Sequence, residues 1–167
     1  MAVTGITRSD KTDHVLDSDP AKRRVPLEVP RIENGEKITE EVVIDDDATF
    51  FECGVLDLFL MGMIYDQATQ VSRAEEDGLL QVNTRLNRTN IDAVRFGLKG
   101  WRNFRDAAGD EIPFKTVEKN VDGRKYRAVT DDCLTRIGIR DIQELAGVIK
   151  EQSELTKAEA KNFATAS

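Results

Sequence analysis

Gly97-Leu98-Lys99-Gly100-Trp101-Arg102-Asn103-Phe104, continuing as Arg105-Asp106-Ala107-Ala108-Gly109-Asp110-Glu111-Ile112-Pro113-Phe114, is the most specified stretch of this chain. It holds the only tryptophan, three of the eleven glycines, and an aromatic cluster closed by a Gly-Asp turn. It contains no nucleophile, base or metal-ligand set. Such a segment fixes a shape or meets a partner. Upstream, Leu79, Val82 and Leu86 share one helical face, and Ile91, Val94 and Leu98 share the next, with Trp101 one turn beyond. The five-residue step from Leu86 to Ile91 predicts one bent helix or two short ones, with Asn87, Thr89 and Asn90 at the slip. Gly97 and Gly100 suit its C-terminal cap.

Downstream, Asp106 to Asp110 is a turn in which Gly109 takes the left-handed conformation. Ile112 and Phe114 open a strand, Asn120-Val121-Asp122-Gly123 makes a hairpin turn, and Tyr126, Ala128 and Val129 return. Thr130-Asp131-Asp132 caps a helix whose Cys133, Leu134 and Ile137 face inward. After Gly138, the residues Ile139, Ile142, Leu145, Ala146 and Ile149 mark an amphipathic helix. Thr156-Lys157-Ala158-Glu159 is a capping box, predicting a last short helix through Lys161.

Before the motif, Leu56, Phe59, Leu60, Met63 and Ile64 have the spacing of a helix with one buried face. Ser72 to Gly78 is a polar connection. Thr49 to Cys53 is a short strand. Ile38, Val42, Val43 and Ile44 form another among glutamates, ending at Asp45-Asp46-Asp47. Three adjacent aspartates cannot converge on one ion, so that run is a solvated turn.

Residues 1–35 hold Pro20, Pro26 and Pro30, which disfavour helix. They are either an unstructured tail or an arm that orders on a neighbouring subunit. The expected architecture is α+β: helices packed on a small antiparallel sheet in one domain, 36–167, with an extended N-terminal arm, 1–35. The expected core is Phe51, Leu56, Phe59, Leu60, Ile64, Leu86, Val94, Leu98, Trp101, Phe114, Leu134, Ile142, Leu145 and Ile149.

A chain of 167 residues, 40% hydrophobic and 33% charged, can bury one core. Its net charge of -7 argues against a general nucleic-acid coat. Cys53 and Cys133 read as buried thiols of a reducing compartment. The longest apolar run, Val55 to Tyr65, is broken by Asp57 and Gly62, so no membrane span is expected. The N-terminus has no apolar signal core, so a cytosolic protein, or one assembled in a cytosol, is expected.

The only histidine, His14, lies in the least structured segment, which disfavours Ser-His or Cys-His catalysis. Two cysteines make no structural zinc site, and Gly97-Leu98-Lys99-Gly100 is too short for a phosphate loop. No enzyme, cofactor or metal is expected.

Charge distribution is more informative. Between residues 85 and 105 stand six bases, Arg85, Arg88, Arg95, Lys99, Arg102 and Arg105, against Asp92 alone. Between residues 33 and 47 stand seven acids against Lys37, including Glu40, Glu41, Asp45, Asp46 and Asp47. These blocks are either solvated faces or a head-to-tail contact between subunits, acid segment to basic helix. Trp101 and Phe104 either anchor the helix end or face a partner. Nucleic acid stacking on them among the arginines is the least favoured reading.

Val94-Arg95-Phe96-Gly97-Leu98-Lys99-Gly100-Trp101-Arg102-Asn103-Phe104-Arg105-Asp106, with Gly109, Pro113 and Phe114, resembles a group of small proteins in tailed-bacteriophage structural gene clusters. The resemblance extends to Thr49–Ile64, to Glu144-Leu145-Ala146, and to Leu155-Thr156-Lys157-Ala158-Glu159-Ala160-Lys161-Asn162; it departs at Cys53-Gly54-Val55, where a basic, leucine-containing stretch is usual. It implies a non-enzymatic virion or assembly protein of the head-tail or tail module, in the virion or the host cytoplasm. The implied partners are other phage structural proteins or copies of itself. A tail-assembly chaperone that leaves before maturation is the alternative, and a nucleic-acid-binding regulator a further one.

Overall fold

The alternation of Phe51 and Cys53 with Glu52 places a strand, β4 (Phe50–Gly54), at the centre of the molecule. The computed structural model describes the backbone of residues 11–72 and 79–165, with side chains at 11–67 and 87–154. β4 is flanked on one side by β1 (Lys11–His14) and on the other by β5 (Leu98–Arg102), both antiparallel. Phe51 and Cys53 are fully buried against the helices, whereas Glu52 faces outward.

Asp57 opens α1 (Leu58–Ser72): its carboxylate accepts from the Leu60 amide at 2.9 Å, the job of an N-cap. The buried stripe is Leu56, Leu60 and Ile64. Phe59, expected in the core, is 52% exposed and lies under the Arg124 guanidinium, 3.4 Å from its ring centroid. The four-residue spacing of the real stripe puts position 59 beside it rather than on it.

α2 (Leu79–Gly97) is one helix rather than two. It ends sooner than the periodicity suggests, because Leu98–Arg102 is the strand β5 and Trp101 is not on a further helical turn. Gly97 is the crossing point. A Cβ there would stand 2.4 Å from Ile149 Cγ2, so only glycine lets this turn meet the long helix behind it.

β6 (Thr116–Val121) and β7 (Arg124–Val129) form the expected hairpin, turning at Asp122 and Gly123, both at positive φ. Ile112 and Phe114 precede it in irregular backbone rather than opening it. Thr130 caps α3 (Asp131–Thr135), and α4 (Ile139–Thr165) then runs without interruption. No glycine or proline stands between Ser153 and Thr156, so nothing ends that helix where the capping box predicted a new one. The main core gathers Phe51, Leu60, Ile64, Val94, Leu98, Leu134, Ile142, Leu145 and Ile149, with Trp101 and Phe114 packed against it half-buried. The Leu86 side chain lies outside the described residues.

The remaining pair is a long hairpin of its own, β2 (Lys22–Glu33) and β3 (Glu36–Ile44), turning at Asn34 (φ 53°) and Gly35 (φ 82°). The division expected between an arm, 1–35, and a domain, 36–167, falls at the tip of this hairpin. The structure joins what that boundary separates. It also draws the preceding residues into the body: β1 is part of the central sheet, and Val15 and Leu16 are buried. The molecule is an α+β fold, with α2 packed on α1 and α4 beside small antiparallel sheets. Among the described residues no helix is long and apolar enough to cross a membrane.

Candidate interaction surface

Trp101 sits half-buried at the centre of the aromatic cluster. Phe104 and Phe114 meet it edge-on with centroids 4.9 Å away, and Phe51 at 6.2 Å. Its Nε1 donates to the Ile112 carbonyl at 2.6 Å. The loop that brings Ile112 back is built from its own side chains. Asp106 Oδ1 accepts from the amides of Ala108 and Asp110, both at 2.9 Å, and Ile112 N donates to Phe104 O at 2.8 Å. Asn103 (φ 58°) and Gly109 (φ 88°) take the left-handed turns this requires. Trp101 and Phe104 are therefore anchors of the fold.

The basic block resolves into locally neutralised charges. Arg95, whose side chain is 15% exposed, pairs with Asp92 at 3.7 Å and with Asp131, tying α2 to α3. Arg95 holds the Asp131 carboxyl below its ordinary range, while burial pushes Asp92 upward against the opposing pull of Arg95. Lys99 donates to the Phe96 carbonyl at 2.8 Å, and its stem covers Gly54. Arg102 pairs with Asp13 at 2.8 Å and Glu52 at 3.3 Å, lies 5.0 Å from the Phe50 ring centroid, and so clasps all three strands of the central sheet. Arg105 pairs with Glu111 at 3.2 Å. Arg88 is exposed, and the Arg85 side chain lies outside the described residues. These positions span α2, β5 and the following loop rather than one helical face.

The acidic block is open. Glu40 and Glu41 are exposed on β3 and make no ion pair among the described residues. Asp45 pairs with Arg23 across the hairpin base at 2.8 Å, and Arg23 holds its carboxyl below the ordinary range. Asp46 and Asp47 are exposed in the loop to β4, where the Asp46 carbonyl accepts from Asn103 at 3.4 Å. Among the described residues no group of three His, Cys, Asp or Glu side chains is placed to hold a metal ion.

The hairpin that carries Glu40 and Glu41 also exposes apolar surface, which charge counting did not show. It packs substantially on no other element, and only its base is tied down, where Ala21 joins Val15, Ala48 and Phe50. Val29 and Ile32 are 78% and 77% exposed, and Val25, Val42 and Ile44 are also open. Arg24 and Val42 share one face, Val25 and Glu41 the other. Its signal was present as Asn34-Gly35 between two runs rich in β-branched residues, the strongest short-range hairpin cue. The two prolines on β2 masked it.

No protein-family model, curated protein or solved structure matches the chain.

Proposed function

We propose that this chain is a non-enzymatic structural or assembly protein of a tailed-bacteriophage particle, in the head-tail or tail module, working through protein–protein contacts in an oligomeric assembly. The observation that supports this reading is the β2–β3 hairpin. A lone two-stranded hairpin is marginal in water, and this one leaves apolar side chains uncovered on both faces. Such an element gains stability when another chain covers it. The rest of the fold serves as a rigid mount, joined to the hairpin base through the Arg23–Asp45 pair and the apolar group around Ala21 and Ala48. The internal pairing of Arg95, Arg102 and Arg105 weighs against a nucleic-acid surface, since those cations are already matched by carboxylates.

A second reading, the tail-assembly chaperone, draws on the apolar trough between α1 and α4, lined by Leu56, Leu58, Met61 and Tyr65, with Leu58 66% exposed. Quantitative mass spectrometry of purified mature particles separates the two. Stoichiometric peptides of this chain support the virion subunit; their absence from particles, with presence in infected lysate, supports the chaperone. Absence from both overturns the phage assignment.

A further inference from the structure

The two strands of the projecting hairpin carry opposite charge. β2 holds Lys22, Arg23, Arg24 and Arg31 against Glu28 and Glu33; β3 holds Glu36, Glu40 and Glu41 against Lys37 and runs into Asp45-Asp46-Asp47. Lys22, Arg23 and Arg31 pair with Asp17, Asp45 and Glu33, so Arg24 is the β2 cation that makes no ion pair among the described residues, as Glu36, Glu40 and Glu41 on β3 make none. Neither outer edge is paired, since the hairpin forms a sheet of only its own two strands. One element therefore presents a basic edge and an acidic edge, and each is the complement of the other.

We propose that copies of this chain associate side by side through these hairpins, β2 of one copy lying along β3 of the next. This deepens the assembly reading above by naming the partner as a second copy. Because β2 runs from base to tip and β3 from tip to base, hairpins standing in the same direction meet antiparallel, and the two-stranded sheet continues from copy to copy. At equal height Arg24 of one copy faces Val42 of its neighbour with Glu40 diagonally beside it on the same face, Glu41 faces Val25 on the other, and Arg31 faces Ile38 with Glu36 diagonally beside it. This repeats the height relation seen within the hairpin, where Arg24 faces Val42 and Arg31 faces Ile38. Lateral pairing also sets Val42 of one copy against the Arg24 stem of the next, with Pro26 diagonal to it, and Ile44 against the Lys22 stem, covering apolar surface that the lone hairpin leaves in water.

The edge is selective rather than sticky. Pro26 and Pro30 lack N–H donors, and the register shifts between Pro26 and Arg31, so β2 cannot zip along an arbitrary strand. Charge matching then chooses the partner. The contact is head-to-tail: each copy gives its basic edge in one direction and its acidic edge in the other. Such a contact closes into a ring or continues as a filament.

The test uses the full chain, with mass measured by light scattering and native mass spectrometry. Wild type is expected to form oligomers larger than a dimer at micromolar concentration. E40K/E41K and R24E/R31E change only exposed side chains; each is expected to weaken association at least tenfold while retaining the near-ultraviolet signal of Trp101. If either fails to keep that signal, E40Q/E41Q and R24Q/R31Q replace them with the same expectation. Mixing the two reversed variants restores opposite charges at both kinds of contact, native in one and swapped in the other, so association is expected to recover as assemblies holding the two variants in a one-to-one ratio. A wild-type monomer overturns the inference, as do variants that associate like wild type, or a mixture that stays unpaired. Particle mass spectrometry keeps the two claims apart: a chain present in particles but unaffected by these substitutions leaves the assembly reading standing and this interface refuted.

Discussion

Trp101 contributes to stability in two separable ways, through ring packing and through the hydrogen bond from Nε1 to Ile112. W101F keeps most of the packing and leaves a carbonyl without its donor, so it is expected to cost about 1–2 kcal/mol. W101A removes the ring from between Phe104 and Phe114 and is expected to cost about 3 kcal/mol or more. Urea titrations followed by far-ultraviolet dichroism measure both; equal costs would mean that the ring packing contributes little. Cys53 provides a pH test. Burial, and to a lesser extent the charge of Asp13, push its thiol up to about 12. The thiol is more easily ionised when unfolded, at about 8.5, so the folded state holds the proton more tightly through the intervening range. Its contribution to stability is complete below that range and falls as pH rises toward 12. Native protein at pH 8.5 is expected to resist iodoacetamide at Cys53 until urea unfolds it, and C53A should show a flatter loss of stability above pH 9 than wild type.

Among the elements, β1 and the β2–β3 hairpin are neighbours in sequence with opposite duties. β1 completes the central sheet and delivers Val15 and Leu16 into buried positions. Deleting residues 1–35 exposes an edge of β4 and removes the buried Val15 and Leu16 side chains, each worth about 1.5–3 kcal/mol, together with the smaller Ala21. That truncation is expected to unfold or aggregate the protein, so it says nothing about an arm. Replacing Arg24–Val42 by a two-residue turn is cleaner, since Arg23 and Val43 face each other across the strands. The shortened chain is expected to keep its thermal midpoint within about 5 °C of wild type, because the excised residues pack on little besides each other. A much larger fall in a calorimetric scan would show that the hairpin supports the body.

For the whole molecule, the net charge of -7 repels copies from one another at long range, while the hairpin edges attract at short range. Moderate salt screens the long-range repulsion and high salt weakens the exposed Arg24, Glu40 and Glu41 contacts. Self-association is therefore expected to pass through a maximum as sodium chloride rises from about 20 mM to 1 M, measured by sedimentation velocity. A steady increase across that range would point to an interface held by apolar contacts alone.

Much of this architecture was legible in the residues. Leu56, Leu60 and Ile64, the Asp122-Gly123 turn, the Thr130 cap and the helix through Leu145 follow from local rules of spacing and turn chemistry, which need no partner in space to act. Three matters were decided only by the folded chain. Leu98–Arg102 became a strand because β4 stood ready to pair with it and Gly97 let the turn pass Ile149. The basic block lost its unity because Asp131, Asp13 and Glu111 reach Arg95, Arg102 and Arg105 from distant or looped positions. β1 joined the body, and the hairpin after it was left uncovered, because pairing to β4 links residues some forty apart. Local pattern determines which segments are helical, extended or turned; which charges remain available, and which strand edges remain open, depends on contacts between residues far apart in the chain.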